Sequence, residues 1–204
     1  MMVTKSKIDE SHKEYWNDNL DKTIKSPTSW EISSSQLFRA AGILWKTSEE
    51  DLQNLFSEER NELKPDDTLK QFNKIGSVAM MLYGLSIENL LKAVLIKKGD
   101  AFKENGKFKY AHHCLLDLIK KADIGITEKE RLLLEKLEKF ILWAGRYPLP
   151  FNVEDKLNIK LENGSSIPPN TISYPFDNQL IHKLFSKIED SLGVEQSLRV
   201  MDGT

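Results

Sequence analysis

Apolar positions recur every three to four residues along most of this chain, which is the spacing of amphipathic α-helices. Ser33 and Gln36 have capping-box spacing, and apolar residues then repeat on one face from Leu37. A first helix is therefore predicted to start near Ser33. The polar run at 46–67 is compatible with a continued helix until Pro65 breaks it.

The most apolar segment, 68–98, is predicted to be the central helix of the fold. An aspartate at 66 or 67 can cap its start, and Gly99 suits the residue just after its end. Apolar side chains cover almost its whole circumference between 78 and 96. Such a helix is expected to pack against neighbours on several sides.

Two further helices follow the central one. The third is predicted over 111–122, where lysines suit the C-terminal end. Thr127 and Glu130 form a second capping-box pair, which predicts the start of a fourth helix. Its apolar face continues to Gly145, where the helix is expected to end.

The segment 152–176 differs in character from the helices around it. Apolar residues alternate between Leu157 and Leu161, and an Asn-Gly pair follows, so a small hairpin is one interpretation and a long surface loop is the other. Asp177 is predicted to cap a last helix that Gly193 terminates.

These elements predict an all-α fold, an up-down helical bundle of four to five helices. The bundle is expected over 31–193. The polar N-terminal segment 1–30 has room for one short helix at about 10–25, and the tail 194–204 is expected to fray.

Composition narrows the class of protein. The 204 residues suit one domain. The formal net charge of −2 gives no strong overall attraction to nucleic acid. A local basic patch is still compatible with this net charge. The single cysteine, Cys114, excludes an intramolecular disulfide, so we expect a cytoplasmic protein in which Cys114 is a small core residue.

No targeting or membrane signal is predicted. The N-terminus lacks the apolar stretch of a signal peptide. Glu88 and Lys92 interrupt the apolar run at 78–96, and charges in the middle of a bilayer are costly, so we expect a buried helix and no membrane association.

Glu88 and Lys92 are the first candidates for chemistry. They stand four residues apart on the central helix with apolar neighbours, and a buried carboxylate needs a partner. Arg146 or a histidine of the third helix is the expected further partner of Glu88, with Arg146 as the leading choice. A purely structural ion pair is the alternative.

The stretch FILWAGRYPLP, at 140–150, ends the fourth helix with polar and aromatic side chains. Trp143, Arg146 and Tyr147 could contact a phosphate or a nucleobase. In the structural alternative, Arg146 binds the last helix carbonyls while Tyr147 and the prolines cover the core.

Two other groups carry weaker signals. His112 and His113 are adjacent and lack further ligands at metal-site spacing, so no metal or cofactor is predicted. His113 is a candidate for proton transfer. Interleaved lysines and phenylalanines at 102–109 suit single-stranded nucleic acid, or are only a solvated turn.

The segments MLYGLSIENLLKAVLIKKG, HHCLLDLIKKA and WAGRYP together resemble the HEPN superfamily of small prokaryotic helical domains. The resemblance covers roughly 33–150 and the final helix. It implies an all-α bundle that often forms homodimers and acts in phage defence, toxin–antitoxin systems or stress responses. Active members of the superfamily are metal-independent ribonucleases with an arginine followed, four to six residues later, by a histidine.

This sequence departs from that ribonuclease signature. Arg146 is followed by YPLPFNV, and Arg39, Arg60 and Arg131 also lack a histidine at the required spacing. The catalytic residues of the superfamily therefore cannot be assigned here.

The leading expectation is a non-catalytic HEPN-like bundle, a homodimer that binds a nucleotide, RNA or a protein partner. Its expected binding residues are given by the motifs above: Glu88, Lys92, His113, Trp143, Arg146 and Tyr147. One alternative is a divergent metal-independent endoribonuclease using Arg146 and His113. The other is a purely structural protein-interaction module.

Overall fold

The computed structural model describes residues 10–57, 65–147, 158–160, 164–168 and 171–193. Within these ranges the chain is an all-α bundle, which confirms the predicted fold class. The helices are α1 (Glu10–Lys25), α2 (Pro27–Ser57), α3 (Pro65–Lys97), α4 (Leu115–Lys121), α5 (Glu128–Lys139) and α6 (Phe176–Ser191). A π-helical turn, Phe140–Ala144, extends α5, and the short strands β1 (Ile159–Lys160) and β2 (Ser166–Ile167) pair antiparallel.

Helix α3 is the centre of the bundle, as its all-round apolar surface predicted. Ile87, Leu90 and Leu91 are completely buried. α3 packs along α2 and also contacts α4, α5, the π turn and α6. Pro65 is the first described residue of this helix, in the first turn, where its missing N–H is not needed. Whether it also ends the helical run before it, as predicted, lies outside the described residues, because 58–64 are not described.

Helix α2 begins six residues earlier than predicted. It starts at Pro27, so the expected capping box at Ser33 is wrong. The hydroxyl of Ser33 instead accepts a hydrogen bond from Asn89 Nδ2 at 3.1 Å. Next to it, Ser34 and Ser86 donate reciprocally to each other's carbonyl oxygens at 2.7 and 2.8 Å. These serines join α2 to α3 and do not end a helix.

The capping box of α5 is confirmed. Thr127 N–H donates to Glu130 Oε2 at 2.7 Å, and Glu130 N–H donates to Thr127 Oγ1 at 3.3 Å. The helical path continues to Ala144 as predicted, but its last turn is π-helical, which the sequence pattern did not indicate.

Two glycines allow this helical path to cross α3 closely. A Cβ atom at Gly84 would lie 2.8 Å from Ile141 Cγ1, and one at Gly145 would lie 2.4 Å from Met81 Cβ. From the first contact to the second, the residue number falls on α3 and rises on the other helix. The α5 helix and its π turn are therefore antiparallel to α3.

Helix α6 begins at Phe176, so Asp177 lies inside its first turn and is not its cap. The buried Asp177 carboxylate has both oxygens 2.9 Å from Lys136 Nζ, and one of them accepts the Ser173 N–H at 2.8 Å. The side chain predicted to cap α6 therefore joins that helix to α5.

The third helix is shorter than predicted, because α4 begins at Leu115 and 111–114 form a loop. Cys114 is exposed in this loop, so its expected place in the core is wrong. Its position just before the first turn of α4 leaves it at the surface. Although the residue is exposed as a whole, loss of water around its thiol is the largest cause that raises the pKa of Cys114. The thiol is therefore protonated at neutral pH.

Of the two interpretations of 152–176, the strand pairing of a small hairpin is present in the described residues, with Ile159 paired to Ile167, and 161–163 between the strands lie outside them. Gly99 and Gly193 have φ angles of +81° and +60°, which fits their predicted places after helix ends. The tail 194–204 lies outside the described residues, as do the prolines after Tyr147.

Among the described helices, Ile75–Lys97 is long and apolar enough to cross a membrane, judged by length and composition. In this fold 78% of its most apolar window is buried inside the bundle.

Candidate functional site

Glu88 is the centre of a buried polar cluster on α3. Its side chain is 4% exposed, and Oε1 accepts a hydrogen bond from Lys92 Nζ at 2.5 Å. The other oxygen, Oε2, lies 2.8 Å from His113 Nδ1. The two oxygens of one carboxylate therefore hold two different side chains, and only His113, 47% exposed, reaches the surface.

The contact with Glu88 orients the His113 ring. A carboxylate oxygen can only accept a hydrogen bond, so this contact fits the tautomer in which the Nδ1–H group donates a hydrogen bond to Oε2. The remaining ring nitrogen, Nε2, is then the atom available for an acceptor or donor role. His113 lies in the loop before α4, which this contact ties to the middle of α3.

Two aromatic rings cover Lys92. Trp30 stacks on Phe108 with centroids 5.4 Å apart and planes 16° apart. Lys92 Nζ lies 5.6 Å from the Trp30 ring centroid and 5.9 Å from that of Phe108, within cation–π range. Sequence reasoning missed Trp30, whose only signal was a large aromatic residue in a polar segment.

The loop between α3 and α4 contains a compact turn at 101–110, named here the basic turn. Phe102 and Phe108 form a β-bridge across it, and Lys103 N–H donates to Lys107 O at 2.9 Å. Lys103 and Lys107 are exposed at its tip. Tyr110, at its end, is buried and donates its hydroxyl proton to Asp100 at 2.9 Å.

The sequence around the basic turn is rich in lysine. The stretch 97–121 contains seven lysines and three acidic residues, a net charge of +4 in a chain with a net charge of −2. One lysine of the turn is neutralised locally: the hydrogen bond from Lys109, followed by that from Tyr110, holds the pKa of Asp100 below its ordinary value. Lys121 lies close enough to act on the same carboxylate, so α4 ends beside the turn.

Arg146 does not pair with Glu88, so the leading expectation for this arginine is wrong. Its Nη2 donates to Leu142 O at 2.9 Å, and its guanidinium lies 5.5 Å from the Tyr147 ring centroid. The antiparallel crossing explains this. Gly145 packs on Met81, and Glu88 lies seven residues, roughly 10 Å, further along α3.

The six expected binding residues therefore divide into two groups. Glu88, Lys92 and His113 form one contact network, while Arg146 and Tyr147 contact each other at the end of the π turn. Trp143, also in the π turn, is 5% exposed, and its Nε1 has no hydrogen-bond partner among the described residues.

The neighbours of His113 have structural roles. His112 Nδ1 accepts the Cys114 N–H at 3.2 Å, and its Nε2 lies 3.3 Å from Asp117. Glu138, from α5, accepts the Leu116 N–H in the first turn of α4 at 2.9 Å. Burial, the largest cause, raises the pKa of Glu138. In the described ranges, no group of three or more His, Cys, Asp or Glu side chains is arranged to hold a metal ion.

Comparison with known proteins identifies no relative, because no protein-family model, curated protein or solved structure matches this chain.

Proposed function

We propose that this chain is a non-catalytic, HEPN-like helical bundle that binds single-stranded RNA through the basic turn and His113. The observation that carries the proposal is the net charge of +4 over 97–121, a stretch in which His113 contacts the buried Glu88 and Tyr110 is hydrogen-bonded to Asp100. Lysines that contact phosphates supply most of the sequence-independent affinity of nucleic-acid binding.

The aromatic content of the turn supports a single strand over a duplex. Phe102 and Phe108 alternate with the lysines and are partly exposed, and one face of Phe108 is already stacked on Trp30. Unpaired bases can stack on such rings, whereas the bases of a duplex are already stacked on one another. The imidazole of His113 adds a hydrogen-bonding group beside this segment.

The turn is also held in place before any ligand binds. His113, just after the turn, is held by Glu88, and Phe108 within the turn is stacked on Trp30. Tyr110, at the end of the turn, is hydrogen-bonded to Asp100. A preorganised site loses less conformational entropy on binding than a flexible one.

The proposal is tested by fluorescence anisotropy of a labelled single-stranded RNA, titrated at several salt concentrations without metal. We expect Lys103→Ala/Lys107→Ala to weaken binding and to reduce the slope of log K against log salt by about 1.4, which is about 0.7 for each lost phosphate contact. The matched control is Lys13→Ala/Lys46→Ala, which removes two exposed lysines on α1 and α2. An equal loss of RNA affinity in the two double variants, or no RNA binding by the wild type, would overturn the proposal.

A second candidate function is metal-independent RNA cleavage by His113. The favouring observation is the Glu88–His113 contact, because a carboxylate at Nδ1 orients a histidine for proton transfer at Nε2. Gel analysis of the same RNA tests it. Cleavage by the wild type that is lost in His113→Ala would replace binding by catalysis as the function.

A further inference from the structure

The tip of the basic turn, 103–107, contains an Asn-Gly pair. Asn105 and Gly106 are both exposed, and Gly106 has a φ angle of +76°. Beyond its chain neighbours, a Cβ atom at Gly106 would meet no atom within 4 Å. Neither a side chain at residue 106 nor another described part of the fold therefore hinders approach to the peptide nitrogen of Gly106.

The Asn105 side chain is folded towards the peptide that follows it. Its Oδ1 atom accepts a hydrogen bond from the Lys107 N–H at 3.2 Å. Such a hydrogen bond, to the residue two positions further along, bends the side chain over the intervening peptide. Asn105 Cγ therefore lies on the side of the Gly106 nitrogen, and the same hydrogen bond makes this carbon more electrophilic.

The charges at the tip favour an anion at this point. Residues 103–107 contain two lysines and one glutamate, a net charge of +1. Lys103 and Lys107 are exposed on either side of the Asn-Gly pair. Positive charge stabilises both a deprotonated peptide nitrogen and the oxyanion that forms when a carbonyl is attacked.

One contact at the tip opposes attack by the Gly106 nitrogen. Its N–H donates a hydrogen bond to Lys103 O at 2.8 Å, so the tip must open before this proton is lost. Exposed loop tips open at low free energy. The contact therefore slows the reaction without blocking it.

We propose that Asn105 is a site of spontaneous deamidation, with water as the only co-reactant. The Gly106 nitrogen attacks Asn105 Cγ, a bond forms between these two atoms, and the Cγ–Nδ2 bond breaks. Ammonia leaves with the proton of the Gly106 N–H, and a cyclic succinimide remains. Water then adds to one of the two imide carbonyls, which gives aspartate or isoaspartate and releases a proton to the solvent.

Deamidation changes the charge of the basic turn, because the product carries a carboxylate where Asn105 is neutral. The net charge falls from +1 to zero at 103–107 and from +4 to +3 over 97–121. The consequence for RNA rests on the proposed function: a neutral tip holds a polyanion less strongly than a positive one. Deamidation is therefore a slow covalent means of lowering RNA affinity.

Peptide mapping of the full chain, incubated in mildly alkaline buffer without RNA, tests the reaction. We expect Asn105 to be converted to aspartate and isoaspartate while Asn17 keeps its amide. Asn17 is the matched control, because it is also exposed but lies within α1 before Asp18, whose side chain hinders the attack. Fragment masses separate Asn105 from the second Asn-Gly pair, at 163–164, whose asparagine lies outside the described residues. Equal conversion of Asn105 and Asn17, or an Asn105 that stays intact, would overturn the proposal.

The effect on RNA is measured separately with Asn105→Asp, which carries the charge of the product. We expect this variant to reduce the slope of log K against log salt by about 0.7, as for one lost phosphate contact. Asn105→Gln keeps a neutral amide and should bind as the wild type does. Wild-type affinity in both variants would overturn the effect on RNA. The peptide map contains no RNA, so a failure of the proposed function is recognised on its own, by a wild type that does not bind.

Discussion

Glu88 links stability to the proposed site, because one buried carboxylate holds both the buried Lys92 and the exposed His113. Removing one partner of a buried ion pair leaves the other charge without compensation in a medium of low dielectric constant. The stacked rings of Trp30 and Phe108 increase the effect, since they separate Lys92 from water.

Replacing the carboxylate by an amide measures this contribution. We expect Glu88→Gln to lower the free energy of unfolding by about 3 kcal/mol, measured by urea denaturation. The same substitution in an exposed pair, Glu50→Gln beside Lys46, should change it by less than about 1 kcal/mol. Similar small losses in both proteins would show that the buried pair does not stabilise the fold.

Tyr83 gives a pH dependence at alkaline pH. It is completely buried and donates to Asn178 Oδ1 at 3.0 Å, and burial raises its pKa to about 12. In the unfolded chain it ionises near its ordinary pKa of about 10. Its contribution to stability is therefore fully present below about pH 10 and is lost as the pH rises towards 12.

The expected result is that Tyr83→Phe unfolds with a weaker dependence on pH above about pH 10 than the wild type, in denaturant titrations from pH 8 upward. Tyr15→Phe is the control, because that ring is exposed on α1. The prediction fails if Tyr83→Phe and the wild type lose stability in parallel.

At the scale of elements, the crossing of α3 by α5 and its π turn determines which side chains can meet. The close contacts at Gly84 and Gly145 set the axial position of one helix on the other. That position keeps Arg146 away from Glu88 and leaves the contact to His113, which arrives from the loop before α4.

The crossing is tested by adding one methyl group. We expect Gly145→Ala to destabilise the fold by about 1–3 kcal/mol, because its Cβ would overlap Met81 Cβ, an atom close to the backbone of α3. Gly125→Ala meets no atom within 4 Å and should change stability by less than about 0.5 kcal/mol. Thermal melts of both variants measure the difference. A neutral Gly145→Ala would contradict the described packing.

Local signals in the sequence predicted the elements that depend on local chemistry. The capping box at Thr127 and Glu130 is an example, since both partners lie within four residues. The box predicted at Ser33 failed because the serines there hydrogen-bond to α3, more than fifty residues away. The π turn had no local signal that helical periodicity could detect.

The candidate site could be predicted only in part for the same reason. The spacing of Glu88 and Lys92 was visible along one helix. The choice between Arg146 and a histidine as the further partner of Glu88 was not visible in the sequence. It depends on the helix crossing and on a contact between residues 25 positions apart in the chain. Trp30 joins the site only because α2 starts early and carries its ring over Lys92.

At the scale of the whole molecule, charge is distributed unevenly. The stretch 97–121 carries +4, so the remainder of the chain carries −6. A polyanion is attracted to the first region and repelled by the rest, which orients its approach more than it raises the overall affinity.

The most direct test of the central claim, an RNA-binding surface at His113 and the basic turn, is to compare His113→Ala with Arg146→Ala. Both are titrated against the same labelled single-stranded RNA, without metal, and the RNA is then examined for cleavage. The account predicts intact RNA throughout, affinity reduced about fivefold in His113→Ala, as for a lost contact of about 1 kcal/mol, and wild-type affinity in Arg146→Ala. Loss of binding in Arg146→Ala with His113→Ala unaffected would contradict it and move the site to the end of the π turn.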